Sequence, residues 1–207
     1  MKICPIIISG GVGSRLWPLS KSVYPKQFVK IIGKRSLFQE TLLRFHDSNI
    51  TLLDPLIVCN EDHKYIVAEQ LKEIGLDTVK VILEPQQRNT APAITLASIY
   101  LKQKYINEDL AILVLPADHM IEPKEVFLEQ VINSLKYLTD GTIATFGIKP
   151  DSPNTGFGYI ELGEQISDNG ILRQVKSFKE KPNLDLAKKY LESGHYLWNS
   201  GIYFLNL

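Results

Sequence analysis

Short apolar runs and longer amphipathic segments alternate along the first 148 residues. Ile6 to Ser9, Leu56 to Cys59, Val79 to Leu83, Leu110 to Leu115 and Thr142 to Ile148 are nearly continuous in hydrophobic character, as in strands covered on both faces of a parallel sheet. Between them Phe38, Leu42 and Phe45 recur at helical spacing, as do Val67, Leu71 and Ile74, and Phe127, Val131, Leu135 and Leu138. Thr90 reads as the N-cap of a helix over Ala91 to Tyr105 with Pro92 in its first turn, and Pro123 as the opening of a helix whose end Gly141 follows. The alternation predicts right-handed βαβ units and a three-layer α/β/α, Rossmann-like domain with a mostly parallel sheet.

After Pro150 the pattern changes. Gly156 to Leu162 and Ile171 to Phe178 read as antiparallel strands joined by a turn at Asp168-Asn169-Gly170, followed by a helix over Asp185 to Leu191 and a strand over Tyr196 to Leu205. The expectation is one domain over residues 1–207, in two segments, 1–148 and 150–207, the second an antiparallel excursion in a mixed sheet. The chain stops at Leu207 in mid-strand, so a fragment incomplete at its C-terminus is expected.

Charge narrows the function. Charged residues make up 22% of the chain, and 23 basic side chains balance 23 acidic ones. That argues against a general nucleic-acid or membrane-surface binder, so any site for a polyanion is local. No apolar run approaches the roughly 20 residues of a membrane span. The start, MKICPIIIS, is too short for a signal peptide and has no cleavage context. Cys4 and Cys59 both lie in apolar runs, and free buried thiols in a reducing cytoplasm are expected.

The first candidate site is GGVGSRLWPLSKSVYPKQF, Gly10 to Phe28, directly after a strand. Ligands of open α/β sheets bind beyond the carboxyl ends of the strands, and glycines let backbone N–H groups approach an anion. Ser9, Gly10, Gly11, Gly13 and Ser14 form such a loop, with Arg15 and Lys26 to grip phosphate oxygens. A dinucleotide fingerprint fails because position 16 is Leu, and a P-loop fails for want of Gly-Lys-Ser/Thr. A glycine-rich turn with solvated basic residues is the alternative.

Further candidates follow in order. LEPQQRNTAPAI crowds Glu84, Arg88, Asn89 and Thr90 before a helix start; Glu84 can accept from the N1–H and exocyclic amine of guanine, and capping by Asn89 or Thr90 is the alternative. LAILVLPADHMI places Asp118 just past a buried strand, a position suited to Mg²⁺ or to capping the next helix. His119 reads as a structural neighbour, since the four histidines have no zinc spacing. NTGFGYI sets Gly156 and Gly158 before Tyr159, as at a close ligand approach or a bulge. FKEKP ends a strand in Glu180 and Lys181, and WNSGIYF carries Asn199.

These motifs, in this order from residue 5 to 205, resemble the sugar-phosphate nucleotidyltransferases, and Trp17-Pro18-Leu19 with Pro25-Lys26-Gln27-Phe28 resembles their mannose-1-phosphate guanylyltransferase branch. The resemblance implies the nucleotide-diphospho-sugar transferase fold, with the nucleotide held by residues 1–148 and the sugar by residues 150–207. It implies that Arg15 and Lys26 bind the triphosphate, that the Glu84 to Thr90 segment binds the base, and that Asp118 binds Mg²⁺. It implies that Gly156, Gly158 and Tyr159 line the sugar, Lys181 holds its phosphate, and Glu180 and Asn199 meet its hydroxyls. Arg15, Lys26, Asp118 and Lys181 are then the catalytic set.

The implied reaction is GTP plus mannose 1-phosphate giving GDP-mannose and pyrophosphate, Mg²⁺-dependent and cytoplasmic, with no nucleic-acid or membrane partner and with a homodimer compatible in the full-length protein. A second metal-binding Asp in such enzymes lies past the equivalent of Leu207, so the 207 residues alone are expected to bind nucleotide and turn over poorly. Some members carry a mannose-6-phosphate isomerase region, on which these residues are silent. Two other readings stand: a nucleotidyltransferase for another sugar phosphate, and a non-catalytic sugar-nucleotide-binding regulator.

Overall fold

The structure, a computed structural model, describes residues 1–11, 18–21, 24–31, 33–45, 50, 52–168 and 170–207. It divides into two compact units, Met1–Ile143 with Tyr203–Leu207, and Ala144–Ile202.

In the first unit β1 (Lys2–Ser9), β2 (Leu56–Asn60), β3 (Lys80–Glu84) and β4 (Leu110–Pro116) form a parallel sheet in the order β3-β2-β1-β4. Helices α1 (Leu37–Leu43), α2 (Lys64–Glu73), α3 (Thr90–Lys104) and α4 (Lys124–Leu135) lie between or after the strands. The last residues of β8 (Tyr196–Asn206) run antiparallel to β4, with Val114 opposite Tyr203 and Ala111 opposite Asn206.

Successive residues of a strand point to opposite faces, and here both sets are buried. Cys4 and Ile6 join Leu56, Val58, Ile112 and Val114 against Ala93, Ala97 and Leu101 of α3. Ile3, Ile7, Ile57, Leu113 and Leu115 face the other way and are equally inaccessible. Burial on both sides explains the unbroken hydrophobic runs of β1, β2 and β4. The runs Val79 to Leu83 and Thr142 to Ile148 do not share it, since β3 ends the sheet and, among the described residues, β5 (Ile143–Ile148) pairs only with β8; both strands are largely half-buried or exposed.

Several boundaries differ from those expected. Strand β1 begins at Lys2 although Pro5 lies inside it, which the expectation of Ile6 to Ser9 missed. Pro5 is tolerated because the ladder to β2 is interrupted there: Ile3 bridges Leu52, and regular pairing resumes at Ile6 opposite Leu56. Thr90 is the first residue of α3 and not its cap; Asn89 holds the cap position at φ 64°, with no side-chain capping bond. Pro123 is the extended residue before α4 and lies outside it. Phe45 lies past the end of α1, buried with its ring 6.3 Å from that of Phe127. Helix α1 itself starts in a capping box, where the Ser36 hydroxyl accepts from Gln39 N–H and the Gln39 carboxamide accepts from Ser36 N–H, worth about 1 kcal/mol.

The second unit holds most of β5 (Ile143–Ile148), with β6 (Tyr159–Gln165), β7 (Arg173–Lys179), α5 (Leu184–Ser193) and the first part of β8. Strand β6 pairs antiparallel with β7 and with β8, and β5 pairs with β8. Gly156 and Gly158 precede β6 and are not part of it, because Gly156 N–H turns back to the Asn154 side chain at 2.8 Å. Leu172 is held outside β7 by its N–H to Ser167 Oγ. Asn183 caps α5 through Leu186 N–H, and Gly194 ends it in the left-handed conformation.

Candidate active site

The parallel register brings the carboxyl ends of four strands to one edge of the first unit. Ser9 lies opposite Cys59, Cys59 opposite Leu83, and Asn60 opposite Glu84. On the other side Ile8 lies opposite Pro116, and Ala117 N–H donates to Ile8 O at 3.0 Å. Gly10, Glu84 and Asp118 therefore all leave the sheet at this edge, where ligands of open α/β sheets bind.

The turn that carries Lys26 is fixed from below. Phe28 is fully buried, 5.4 Å from the Phe38 ring and 5.9 Å from the His63 ring. Gln27, also buried, directs its Nε2 at the carbonyls of Gly10 and Gly11, 3.4 Å from each. Gly11 has φ 91°, a conformation that favours glycine. So anchored, Lys26 Nζ lies 2.6 Å from Asp118 Oδ2. Two residues far apart in the sequence, read separately as phosphate and metal ligands, share one contact. Gly13, Ser14 and Arg15 lie outside the described residues.

Asp118 has one further neighbour among the described residues, itself held by Arg44. His119 Nε2 is 3.5 Å from Asp118 Oδ1. Burial lowers the His119 pKa, with Asp118 opposing and the charges of Lys26 and Arg44 adding to the drop. His119 is therefore neutral at pH 7, and the contact is polar, not an ion pair. Arg44 is buried, and its Nη2 donates to His119 O at 2.7 Å and to Thr41 Oγ1 at 3.3 Å. Burial brings its pKa down to about 10, against the pull of Glu40 and Glu122, so it stays charged near neutrality. Capping of α4 by Asp118 is excluded, since that cap is Pro123 without a side-chain bond. Among the described residues no group of three or more His, Cys, Asp or Glu side chains gathers to hold a metal.

Glu84 ends β3 as a buried carboxylate, and burial raises its pKa. It makes no hydrogen bond or ion pair with any described residue. Nearby the Gln87 Nε2 is buried without a partner among the described residues, and an added Cβ at Gly10 would meet it at 3.4 Å. Ser9 Oγ is likewise buried and unpaired among the described residues. Arg88 is exposed and donates to Gln86 Oε1 at 2.9 Å, while Asn89 and Thr90 are exposed at the start of α3. Side-chain capping is thus not what this segment does.

The second unit holds the remaining candidates. At Gly158 a Cβ would lie 2.6 Å from Phe178 Cζ and 2.9 Å from Glu180 Oε2, so only glycine fits without displacing them. Glu180 and Lys181 are exposed and paired at 2.9 Å, with Lys181 at φ 42°. Asn199 N–H donates to Gly158 O, and its Oδ1 accepts from Thr145 Oγ1 and Gly201 N–H. Tyr159 is fully buried with its hydroxyl on Asn154 O, so its side chain supports this segment from within and presents nothing to a ligand.

Gln27, Gln87 and Arg44 were missed from sequence. Arg44 had a readable signal: a lone charge inside the apolar stretch Leu42-Leu43-Arg44-Phe45. Gln27 was readable only as the neighbour of Lys26.

Residues 4–206 match the family model for nucleotidyl transferase. The chain belongs to the nucleotidyl transferase family. It is 46% identical over 205 residues to a mannose-1-phosphate guanylyltransferase of Salmonella montevideo, a match covering 97% of this chain and 42% of that protein. The crystal structure of mannose-1-phosphate geranyltransferase from Thermus thermophilus superposes with a TM-score of 0.85 at 30% identity, over 100% of this chain and 58% of that one. That of mannose-6-phosphate isomerase from Helicobacter pylori gives 0.77 at 35% identity, over 99% of this chain and 71% of that one. These nucleotidyl transferase residues thus span about two fifths of the length of the curated relative.

Proposed function

We propose that the protein to which this nucleotidyl transferase chain belongs transfers guanylyl from GTP to mannose 1-phosphate, giving GDP-mannose and pyrophosphate. The observation that carries the reading is the Lys26–Asp118 contact at the strand edge beside Gly10 and Gly11. A phosphate-binding cation and a metal-binding carboxylate must converge for two anions to react, and the similarity to guanylyltransferases names the anions.

The attacking group is an oxygen of the sugar phosphate, already ionised, so no general base is needed. It forms a bond to the α-phosphorus of GTP while the bond from that phosphorus to the α–β bridging oxygen breaks, and pyrophosphate leaves with the electron pair. The task is to position reactants and neutralise charge. Lys26 is assigned to the triphosphate, with Arg15. Glu84, buried and unpaired among the described residues, is assigned as acceptor at the guanine edge, with Gln87 Nε2 as a donor beside Gly10. Lys181, Glu180 and Asn199 are assigned to mannose 1-phosphate on the motif resemblance.

Asp118 fits a hard divalent ion: a carboxylate at a crevice edge, with phosphate and water completing the shell, is how Mg²⁺ is commonly held. When bound, such an ion supplies Lewis-acid stabilisation of phosphoryl charge. Cys4 and Cys59, free and buried, are in keeping with a cytoplasmic setting, and a homodimer is the assembly we carry forward.

The deciding experiment is pyrophosphate release by the full-length protein from GTP and mannose 1-phosphate, with and without Mg²⁺, beside UTP, dTTP and ATP and beside glucose 1-phosphate. GTP with mannose 1-phosphate is expected to be preferred and metal-dependent. A preference for another pair would move the protein to a different sugar, and nucleotide binding without pyrophosphate release would make it a regulator.

A further inference from the structure

The first unit contains a cavity of about 1060 Å³ that none of the assigned nucleotide residues lines. Its walls come from Lys30, from residues between Lys34 and Arg44, from the end of α2, and from Met120, Ile121, Glu122 and Lys124. Lys30, Lys34, Arg35, Arg44 and Lys124 contribute positive charge, and Glu40, Glu73 and Glu122 negative. Glu73 is already engaged: Gln39 Nε2 donates to it at 2.7 Å and Lys30 Nζ approaches to 3.1 Å. With that pair set aside, four cations face two carboxylates.

The second observation is the state of Arg44. Its side chain is in the wall with 6% of the residue exposed, yet Nη1 is buried with no hydrogen-bond partner among the described residues. An unused donor on a buried cation is uncommon in proteins. The guanidinium fork matches phosphate oxygens, and an oxyanion at this wall would complete it once a small side-chain rotation brings the shielded Nη1 to the cavity surface.

We propose that the cavity is a second anion site, which takes the phosphoryl group of a small metabolite with Arg44 as its buried donor and Lys34 and Arg35 at its exposed rim. The site is built into the machinery of the first one. Arg44 Nη2 donates to the His119 carbonyl, one residue from Asp118, so a ligand drawing on Nη1 acts on the planar group that holds the Asp118 loop. This link to turnover rests on the function proposed above; the binding does not.

The test is calorimetric titration of the full-length protein with inorganic phosphate and, separately, with glucose 6-phosphate. Saturable binding is expected in the wild type, kept in Lys26→Met and weakened about tenfold or more in Lys34→Ala/Arg35→Ala, whose substituted side chains are exposed. The sugar phosphate should bind more tightly than the free ion, because the cavity exceeds what the ion fills. Arg44→Lys, which keeps charge and loses the fork, should weaken both; if it does not fold, the exposed pair decides. Unchanged affinity in the double variant, loss of all binding in Lys26→Met, or no saturable binding in the wild type would overturn the site, and equal or weaker binding of the sugar phosphate would overturn the metabolite. Binding as expected in a protein that fails to release pyrophosphate would leave this site standing and remove the guanylyl-transfer reading.

Discussion

Lys26 Nζ and Asp118 Oδ2 are 2.6 Å apart, a contact between the turn after the glycine loop and the end of β4. Both side chains are about one-third exposed, at 34% and 27%. At that exposure an ion pair contributes roughly 0–1 kcal/mol to stability, too little to account for the buried Gln27 and Phe28 that position it. The carboxylate stands where a phosphate oxygen would meet Lys26, and the ammonium where a cation would meet Asp118.

Asp118→Asn is therefore expected to change stability by less than about 1 kcal/mol and to lower kcat by about a hundredfold or more. GTP affinity should fall much less. Steady-state kinetics across a Mg²⁺ titration, with calorimetric GTP binding, checks this. Equal turnover at saturating Mg²⁺ would remove Asp118 from the metal site.

Under the proposed assignment Glu84 trades stability for recognition. Burial raises its pKa, so the folded chain favours the neutral acid. Its contribution to stability is present below the unfolded pKa and is lost as pH rises through the raised folded value. Once charged, the buried carboxylate is a liability. Glu84→Gln should raise the unfolding midpoint at pH 7 and flatten that gain as the pH is lowered through the carboxylate range. It should also weaken GTP about tenfold or more, because an amide cannot accept from both guanine donors as a carboxylate can. A variant that gains stability and keeps GTP affinity would assign the base to another residue.

Most of the first unit was legible because its core is repetitive. Strands buried on both faces read as apolar runs, and the helices between them carry their own period, so even Pro5 displaced a boundary without changing the fold. The strand-edge site was legible for a related reason: parallel topology puts every strand's carboxyl end on one side, so a residue just past a strand, such as Asp118, is at the edge by construction. Arg44, Gln27 and Gln87 were not, because their roles come from tertiary neighbours (the His119 carbonyl, the Gly10 and Gly11 carbonyls, the space beside Gly10) that no local pattern encodes. The place of the Tyr159 side chain was illegible for the converse reason. An aromatic beside two glycines suggests a ligand wall, and only packing shows it fully buried.

The glycines of the second unit separate function from packing. An alanine at Gly158 would meet Phe178 Cζ and Glu180 Oε2, the far ends of two exposed side chains that can swing away. Gly158→Ala should therefore cost less than about 1 kcal/mol while displacing Glu180 beside Lys181, so KM for mannose 1-phosphate rises with little change in KM for GTP. An alanine at Gly147 would meet Leu197 at its Cβ, 2.8 Å away, an atom fixed to the backbone of β8. Gly147→Ala should instead cost about 1–3 kcal/mol and leave KM unchanged in the molecules that fold. Thermal unfolding with kinetics on both variants checks the contrast.

The two thiols give a reading of the first unit's integrity that needs no substrate. Burial pushes Cys4 and Cys59 up to about 12, and at Cys59 the charge of Glu84 adds to the rise. Only the thiolate attacks a disulfide reagent, so at pH 8 both groups are shielded twice, by protonation and by the sheet. Cys4 lies on the α3 face of β1, and Cys59 is fully buried near the carboxyl end of β2 with β1 on one side and β3 on the other, so exposing either means separating strands of the sheet. Under native conditions an aromatic disulfide reagent is expected to label neither, and in guanidinium chloride both should react at once. The slow native rate should then follow the population of globally unfolded chain as denaturant rises. Rapid labelling of one thiol in the folded protein would mean that its strand opens locally and that the edge carrying Gly10 and Asp118 is not rigidly supported.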